Sequence, residues 1–123
     1  MNSYKSLVAW QRASNLSVRT LEIVDDAWGP RGAVVFDQLR RAALSVDLNI
    51  VEGYALNTPA QFRRHIRIAI GSAAETERLL EIAERRGYLT AEQVEPLRRA
   101  VDGTLGPLFG LLRSPRLRQR VDR

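Results

Sequence analysis

Apolar and small residues recur early in the chain at Leu7, Trp10, Ala13, Ser17, Leu21, Val24 and Trp28. Steps of three and four trace one stripe of an α-helix, so a first helix is predicted from about Leu7 until the Gly29-Pro30 pair ends it. A second helix carries Phe36, Leu39, Ala43, Val46 and Ile50 at the same spacing, while Leu44, Leu48 and Val51 form another apolar strip on a different side. One strip serves a core, and the other calls for a second neighbour in the bundle or contact with another chain.

Thr58-Pro59-Ala60-Gln61 reads as a helix start. Thr58 is the N-cap, Pro59 sits at the first helical position where no N–H is needed, and Gln61 is placed for a capping box. Phe62, Ile66, Ala69, Ile70, Ala73, Leu80 and Ala83 then mark an apolar face that runs to Arg85-Arg86-Gly87, a basic C-terminus with a glycine cap. Thr90-Ala91-Glu92-Gln93 repeats the capping pattern ahead of Val94, Leu97, Val101, Leu105, Leu108 and Leu112. Pro96 fits a first turn if this fourth helix begins near Glu95, and Gly103, Gly106, Pro107 and Gly110 should weaken or kink its second half. No segment alternates with period two for long enough to argue a strand. Short connections between long helices favour antiparallel neighbours, so the expected fold is all-α, an antiparallel up-down-up-down four-helix bundle. The bundle spans residues 1–113, followed by a basic C-terminal tail over 114–123.

Composition narrows the class. At 123 residues the chain is the size of one domain, with 45% hydrophobic and 27% charged residues, inside the globular range. No apolar run of membrane-spanning length and no signal-peptide core is present, so a cytoplasmic location is expected and no membrane partner. The absence of cysteine excludes disulfides and thiolate metal sites. The one histidine, His65, stands three residues after Phe62, so the Glu-x-x-His pairs of a carboxylate di-iron bundle are missing. It reads as a surface or rim residue. Glu75 and Glu77 are two residues apart and point to different sides of a helix, so they cannot share a substrate. With no H-E-x-x-H, G-x-S-x-G or phosphate-binding glycine loop, the sequence supports no enzyme, no metal and no cofactor.

The net charge is +5, of which the tail holds +3 through Arg116, Arg118, Arg120 and Arg123 against Asp122. Within the bundle, Arg63, Arg64 and Arg67 are helical neighbours in the first turns of the third helix. The positive end of the helix dipole disfavours cations there, so something should offset them. They form a phosphate-binding patch, joined by Arg40 and Arg41, or they pair with carboxylates of a neighbouring helix or subunit. Trp10, Trp28, Phe36 and Phe62 all fall on apparent core stripes, which leaves few exposed aromatics for base stacking. Asp47, Asn49 and Glu52 interrupt an apolar segment and need partners, for which Arg40, Arg41 or Arg67 are expected; a small-ligand pocket is the other reading.

The segment Gln38-Leu39-Arg40-Arg41-Ala42-Ala43-Leu44-Ser45-Val46-Asp47-Leu48-Asn49-Ile50-Val51-Glu52-Gly53 resembles the signature of a bacterial four-helix-bundle family. That family is related to proteins encoded in intervening sequences of large-subunit ribosomal RNA genes. Leu7-Val8-Ala9-Trp10-Gln11-Arg12-Ala13 is similar to the family's opening, the run from Phe62 to Glu77 to its third helix, and Gly87-Tyr88-Leu89 to its last turn. The resemblance implies a cytoplasmic bundle that assembles into a ring, typically a homopentamer. It also brings in the accessory variability protein of diversity-generating retroelements, a basic ring that associates with nucleic acid and a reverse transcriptase. Among matched polar positions, Arg40, Asn49, Glu52, Arg63, Arg67 and Glu75 are expected to support packing or assembly first and RNA contact second. The chain departs from the family in the Gly- and Pro-rich end of its fourth helix and in its arginine tail.

Two readings of function follow. The first is a non-enzymatic homo-oligomer, pentameric by the resemblance, whose basic surface holds RNA or DNA through phosphates. Its contact residues are Arg40, Arg41, Arg63, Arg64 and Arg67, with Leu44 and Leu48 at the oligomer interface and Asn49, Glu52 and Glu75 as structural polar groups. The alternative is a protein-interaction scaffold with no nucleic-acid ligand.

Overall fold

Capping side chains set where the third and fourth helices begin. The structure, a computed structural model, describes residues 3–113; the segment expected as a basic tail lies outside the described residues. Four helices follow one another: α1 (Val8–Ala27), α2 (Ala33–Leu56), α3 (Pro59–Arg85) and α4 (Ala91–Arg113), with single 3-10 turns at Tyr4–Ser6 and Pro30–Gly32 ahead of α1 and α2. The Thr58 hydroxyl accepts from the Gln61 N–H at 3.3 Å and so caps α3. At α4 the capping box is complete: the Gln93 N–H donates to Thr90 Oγ1 at 3.2 Å and the Thr90 N–H donates to Gln93 Oε1 at 2.9 Å. Asn57 closes α2 in the left-handed region with φ 55°, and Gly87, with φ 71°, turns the chain after α3.

That capping box stands where the sequence places it, and the condition on which Pro96 would fall in a first turn, a start near Glu95, is not met. The helix begins at Ala91, so Pro96 lies inside it, past the first turn, and deprives the Glu92 carbonyl of its helical donor. The glycines and Pro107 do not break the second half, which continues to Arg113. Gly103 has a use there: a Cβ would stand 3.1 Å from Nη1 of Arg12, so its absence makes room for that guanidinium to lie across α4.

Each helix packs on two neighbours, α1 on α2, α2 on α3, α3 on α4 and α4 back on α1, around one core. Trp10 meets Asp47 and Asp25 meets Arg40 across α1 and α2. Gln38 meets Glu75, Ser45 meets Ser72, and Asn49 meets His65 across α2 and α3. In both series one number rises as the other falls, so these neighbours are antiparallel. Among the described residues no helix is long and apolar enough to cross a membrane.

The stripes read for α2 and α3 are the core: Phe36, Leu39, Val46, Ile50, Phe62 and Ile66 are each at most 2% exposed. The stripe of α1 is rotated from the expected one. Ala13, Ser17 and Val24 are buried as expected, but Ala9, Leu16 and Thr20 complete the face. Leu21 and Trp10 are only half-buried, and Trp28, placed on the core stripe by spacing, is 44% exposed where the chain leaves α1. Small side chains explain the shift, because Ala9, Ala13, Ser17 and Thr20 let α1 sit close to its neighbours where larger residues would not fit. The Thr20 hydroxyl, fully buried, finds no hydrogen-bond partner among the described residues.

Candidate nucleic-acid interface

The seam between α2 and α3 holds polar groups whose partners the sequence pattern alone does not reveal. The Asn49 amide nitrogen donates to the Ser45 carbonyl at 2.8 Å and to Ser45 Oγ at 3.0 Å. Its Oδ1 is therefore the acceptor for His65 Nδ1 at 2.8 Å, which assigns the proton to that ring nitrogen. His65 is 6% exposed, so it is a core residue and not the surface or rim residue expected. The carboxylate of Glu52, itself exposed, lies 3.8 Å from the same nitrogen. Ser45 and Ser72 hydroxyls meet at 2.7 Å one step further along, and Gln38 donates to Glu75 beyond them. On the other side of α2, Asp47 accepts from Trp10 Nε1 at 2.8 Å and from Ser17 Oγ at 2.9 Å.

These bonds correct the expected pairing of Asp47 and Asn49 with arginines, and Glu52 forms no ion pair with an arginine among the described residues. The partners of Asp47 and Asn49 are Trp10, Ser17, Ser45 and His65, which are shorter or flatter and fit inside the bundle, whereas an arginine there would have to bury its charge. The hydrogen-bonding capacity that a small-ligand pocket would draw on is spent between helices.

The arginines do not form one patch. Arg40 turns to α1, where Nη2 is 2.7 Å from Asp25, while Nη1 is 3.1 Å from Asp37 one turn back on α2 itself. It thus serves as an inter-helix ion pair. Arg41, the next residue and about 100° further round the helix, is exposed. Arg64 and Arg67 are exposed and Arg63 half-buried on α3. None of these four forms an ion pair among the described residues. The register that sets Ser45 beside Ser72 and Gln38 beside Glu75 puts Arg41 about 10 Å along α3 from Arg67, at 1.5 Å per residue. Arg63, Arg64 and Arg67 remain a local cluster, with Arg41 on the neighbouring helix.

Between them lies an apolar strip. Leu48 is 50% and Ile68 39% exposed, the same register brings them to one level of the α2–α3 seam, and Leu44 is half-buried one turn away. Ile68 gives no signal of this role in the sequence, because its exposure depends on that register.

At the far end of α3 lies a second basic group, in which Arg31 and Arg86 lie over the Tyr88 ring and Arg78, Arg85 and Arg86 line one surface cleft. From sequence, Arg85-Arg86-Gly87 is only a helix stop. The Tyr88 hydroxyl, accepting from Arg86 Nε at 3.5 Å and adding the attraction of its ionised form, raises the pKa of that guanidinium further above its ordinary value. Among the described residues no three His, Asp or Glu side chains gather in a way that could hold a metal ion.

The fold and this surface define a small all-α bundle with polar seams and a basic, partly apolar exterior. The chain belongs to the 23S rRNA-intervening sequence protein family, whose model matches residues 5–108. A crystal structure of a protein with unknown function from the S23 ribosomal protein family of Bacteroides thetaiotaomicron is similar, with a TM-score of 0.80 and 25% identity. The match covers 87% of this chain and 100% of that one. No curated protein sequence gives a significant match.

Proposed function

We propose that the protein is a non-enzymatic, cytoplasmic homo-oligomer that holds RNA through its phosphates on the outer faces of α2 and α3. The observation that carries this reading is the cluster Arg63, Arg64 and Arg67, with Arg41 about 10 Å away on the neighbouring helix, exposed or half-exposed and free of ion pairs among the described residues. The three guanidinium groups in the first turns of α3 repel one another and the positive end of its dipole, and phosphate oxygens relieve both. The family name, which ties its members to ribosomal RNA genes, is compatible with an RNA ligand. Arg40 is left out of the contact set because Asp25 and Asp37 hold it. Assembly multiplies the cluster by symmetry, and a pentamer is the number the resemblance suggests.

Fluorescence anisotropy with a generic structured RNA tests this. Affinity should fall by about 0.7 to 0.9 log units per log unit of salt for each phosphate neutralised. Changing Arg63, Arg64 and Arg67 together to Gln should weaken binding about tenfold or more at low salt and flatten the slope by one to three phosphates' worth, roughly one for each contact removed. Binding indifferent to salt, or unmoved in the triple variant, would remove the reading.

The exposed Leu48 and Ile68 favour a second reading, a protein scaffold that assembles through this strip and takes no nucleic acid. Leu48→Glu is expected to release protomers in light scattering while the helical circular dichroism stays intact. An assembly unaltered by Leu48→Glu removes α2 from the interface, and an assembly that ignores RNA at low salt leaves the scaffold as the function.

A further inference from the structure

The C-terminal end of α3 gathers positive charge that the caps and ion pairs of the bundle do not absorb. Arg78, Ile82, Arg85 and Arg86 line a surface cleft of about 320 Å³. Arg31 reaches this end from the turn between α1 and α2, where its Nη2 donates to the Arg86 carbonyl at 3.2 Å. The Arg31 guanidinium lies 5.3 Å, and that of Arg86 5.9 Å, from the centroid of the Tyr88 ring. Two carboxylates stand nearby on α3. Glu81 pairs with Arg78 at 2.9 Å, both side chains being more than half exposed, and Glu84 is turned to Arg98 of α4 at 3.5 Å. Arg85 and Arg86 form no ion pair among the described residues.

Basic residues at a helix C-terminus answer the negative end of its dipole, and that accounts for Arg85 and Arg86 being cations. It does not account for Arg78, about 10 Å upstream at 1.5 Å per residue, nor for Arg31, which arrives from another element. We propose that this cleft binds a phosphate group, with Arg85 and Arg86 as its donors and Arg78 exchanging Glu81 for it. Guanidinium forks match phosphate oxygens in pairs, so these side chains gain directed bonds as well as charge neutralisation. The Arg78–Glu81 pair is exposed and therefore weak, which makes the exchange inexpensive. Tyr88 restrains Arg86 before any ligand arrives, and Arg31 adds its field without entering the cleft. The volume is at the lower end of small-ligand sites and suits one phosphate with the group that carries it.

The phosphate can come from a phosphomonoester such as a nucleotide or from the phosphodiester of an RNA strand. This site lies at the opposite end of α3 from Arg63, Arg64 and Arg67, so it stands or falls apart from the RNA reading above.

Arginine side-chain NMR on the full chain, at constant ionic strength, tests the proposal. Titration with inorganic phosphate should shift the Nε resonances of Arg78, Arg85 and Arg86 along a saturating curve that chloride does not produce. The double variant Arg85→Gln/Arg86→Gln, both positions exposed and its fold checked by circular dichroism, should weaken the response about tenfold or more, the size expected for losing charged hydrogen bonds. Arg63→Gln should leave it unchanged. Adenosine 5′-monophosphate and a short oligouridylate without terminal phosphates then separate the sources: saturation by the first alone names a phosphomonoester, and by the second a strand. A linear response no larger than that of exposed Arg19 means an adventitious ion only and overturns the proposal.

Discussion

Valine in place of Gly53 is expected to destabilise the bundle by about 3 kcal/mol or more, read as a lowered midpoint in urea at fixed protein concentration. A Cβ at Gly53 would lie 2.8 Å from the Cβ of His65 and 3.5 Å from the Cα and carbonyl oxygen of Phe62. The obstacle is a Cβ fixed to the α3 backbone, which no rotamer change can move, so α2 and α3 would have to part. Replacing glycine inside a helix ordinarily gains up to about 1 kcal/mol of propensity, less for a β-branched residue. Overpacking costs about 1–3 kcal/mol, and separation also stretches the 2.8 Å bond between Asn49 and His65, leaving buried polar atoms unpaired at about 1–3 kcal/mol. The clash therefore outweighs the propensity. Gly71 shows the contrast, since it lies in α3 with nothing within 4 Å of where a Cβ would stand, and it should accept alanine without loss. A Gly53→Val protein as stable as the native chain would mean that the helices slide past each other freely at this level.

The same close approach shows what a sequence can and cannot disclose. The starts of α3 and α4 were legible because a capping box is a local chemical pattern: Thr90 and Gln93 satisfy each other's backbone within four residues. The core faces of α2 and α3 were legible because Phe36, Ile50, Phe62 and Ile66 are large and keep the helical period. The face of α1 is misleading where alanine, serine and threonine carry the packing, since such residues give little hydrophobic signal on either side of a helix. His65 reads as a surface residue although it is a helical neighbour of Phe62 and Ala69. What decides its place is Asn49, sixteen residues away in sequence and reachable only once the α2–α3 register is known. The arginines are ambiguous for the same reason. Arg40 and Arg41 are adjacent in the chain yet serve different faces, and Arg31 meets Arg86 across fifty-five residues. Charge type is readable from sequence, whereas the partner that commits or frees a charge is a property of the assembled bundle.

Asp47→Leu is expected to cost about 2–4 kcal/mol, because the carboxylate ties α1 to α2 through two hydrogen bonds. One oxygen accepts from Trp10 Nε1 at 2.8 Å and the other from Ser17 Oγ at 2.9 Å. Ser17 is 2% exposed but can fall back on the Ser14 carbonyl, to which its hydroxyl is also 3.1 Å away. The half-buried indole N–H of Trp10 has no other partner among the described residues, so most of the loss should come from it. Hydrogen bonds to an ionised group contribute about 1.5–3 kcal/mol each, and leucine returns part of that by burying apolar surface. Asp47→Asn should lose much less, about 1 kcal/mol, because its amide oxygen can still accept from Trp10 while its nitrogen donates to Ser17. The ordering native, asparagine, leucine in urea midpoints is the diagnostic. A leucine variant equal to the asparagine variant would show that Trp10 finds water when the carboxylate is gone, and that the Asp47 bonds add little to the joining of the two helices. If the ordering holds, the tie fixes the rotation of α2 about its own axis, and with it the outward direction of Arg41, Leu44 and Leu48. Asp47→Leu should then also weaken any assembly that Leu48→Glu disrupts, without touching a residue of the surface itself.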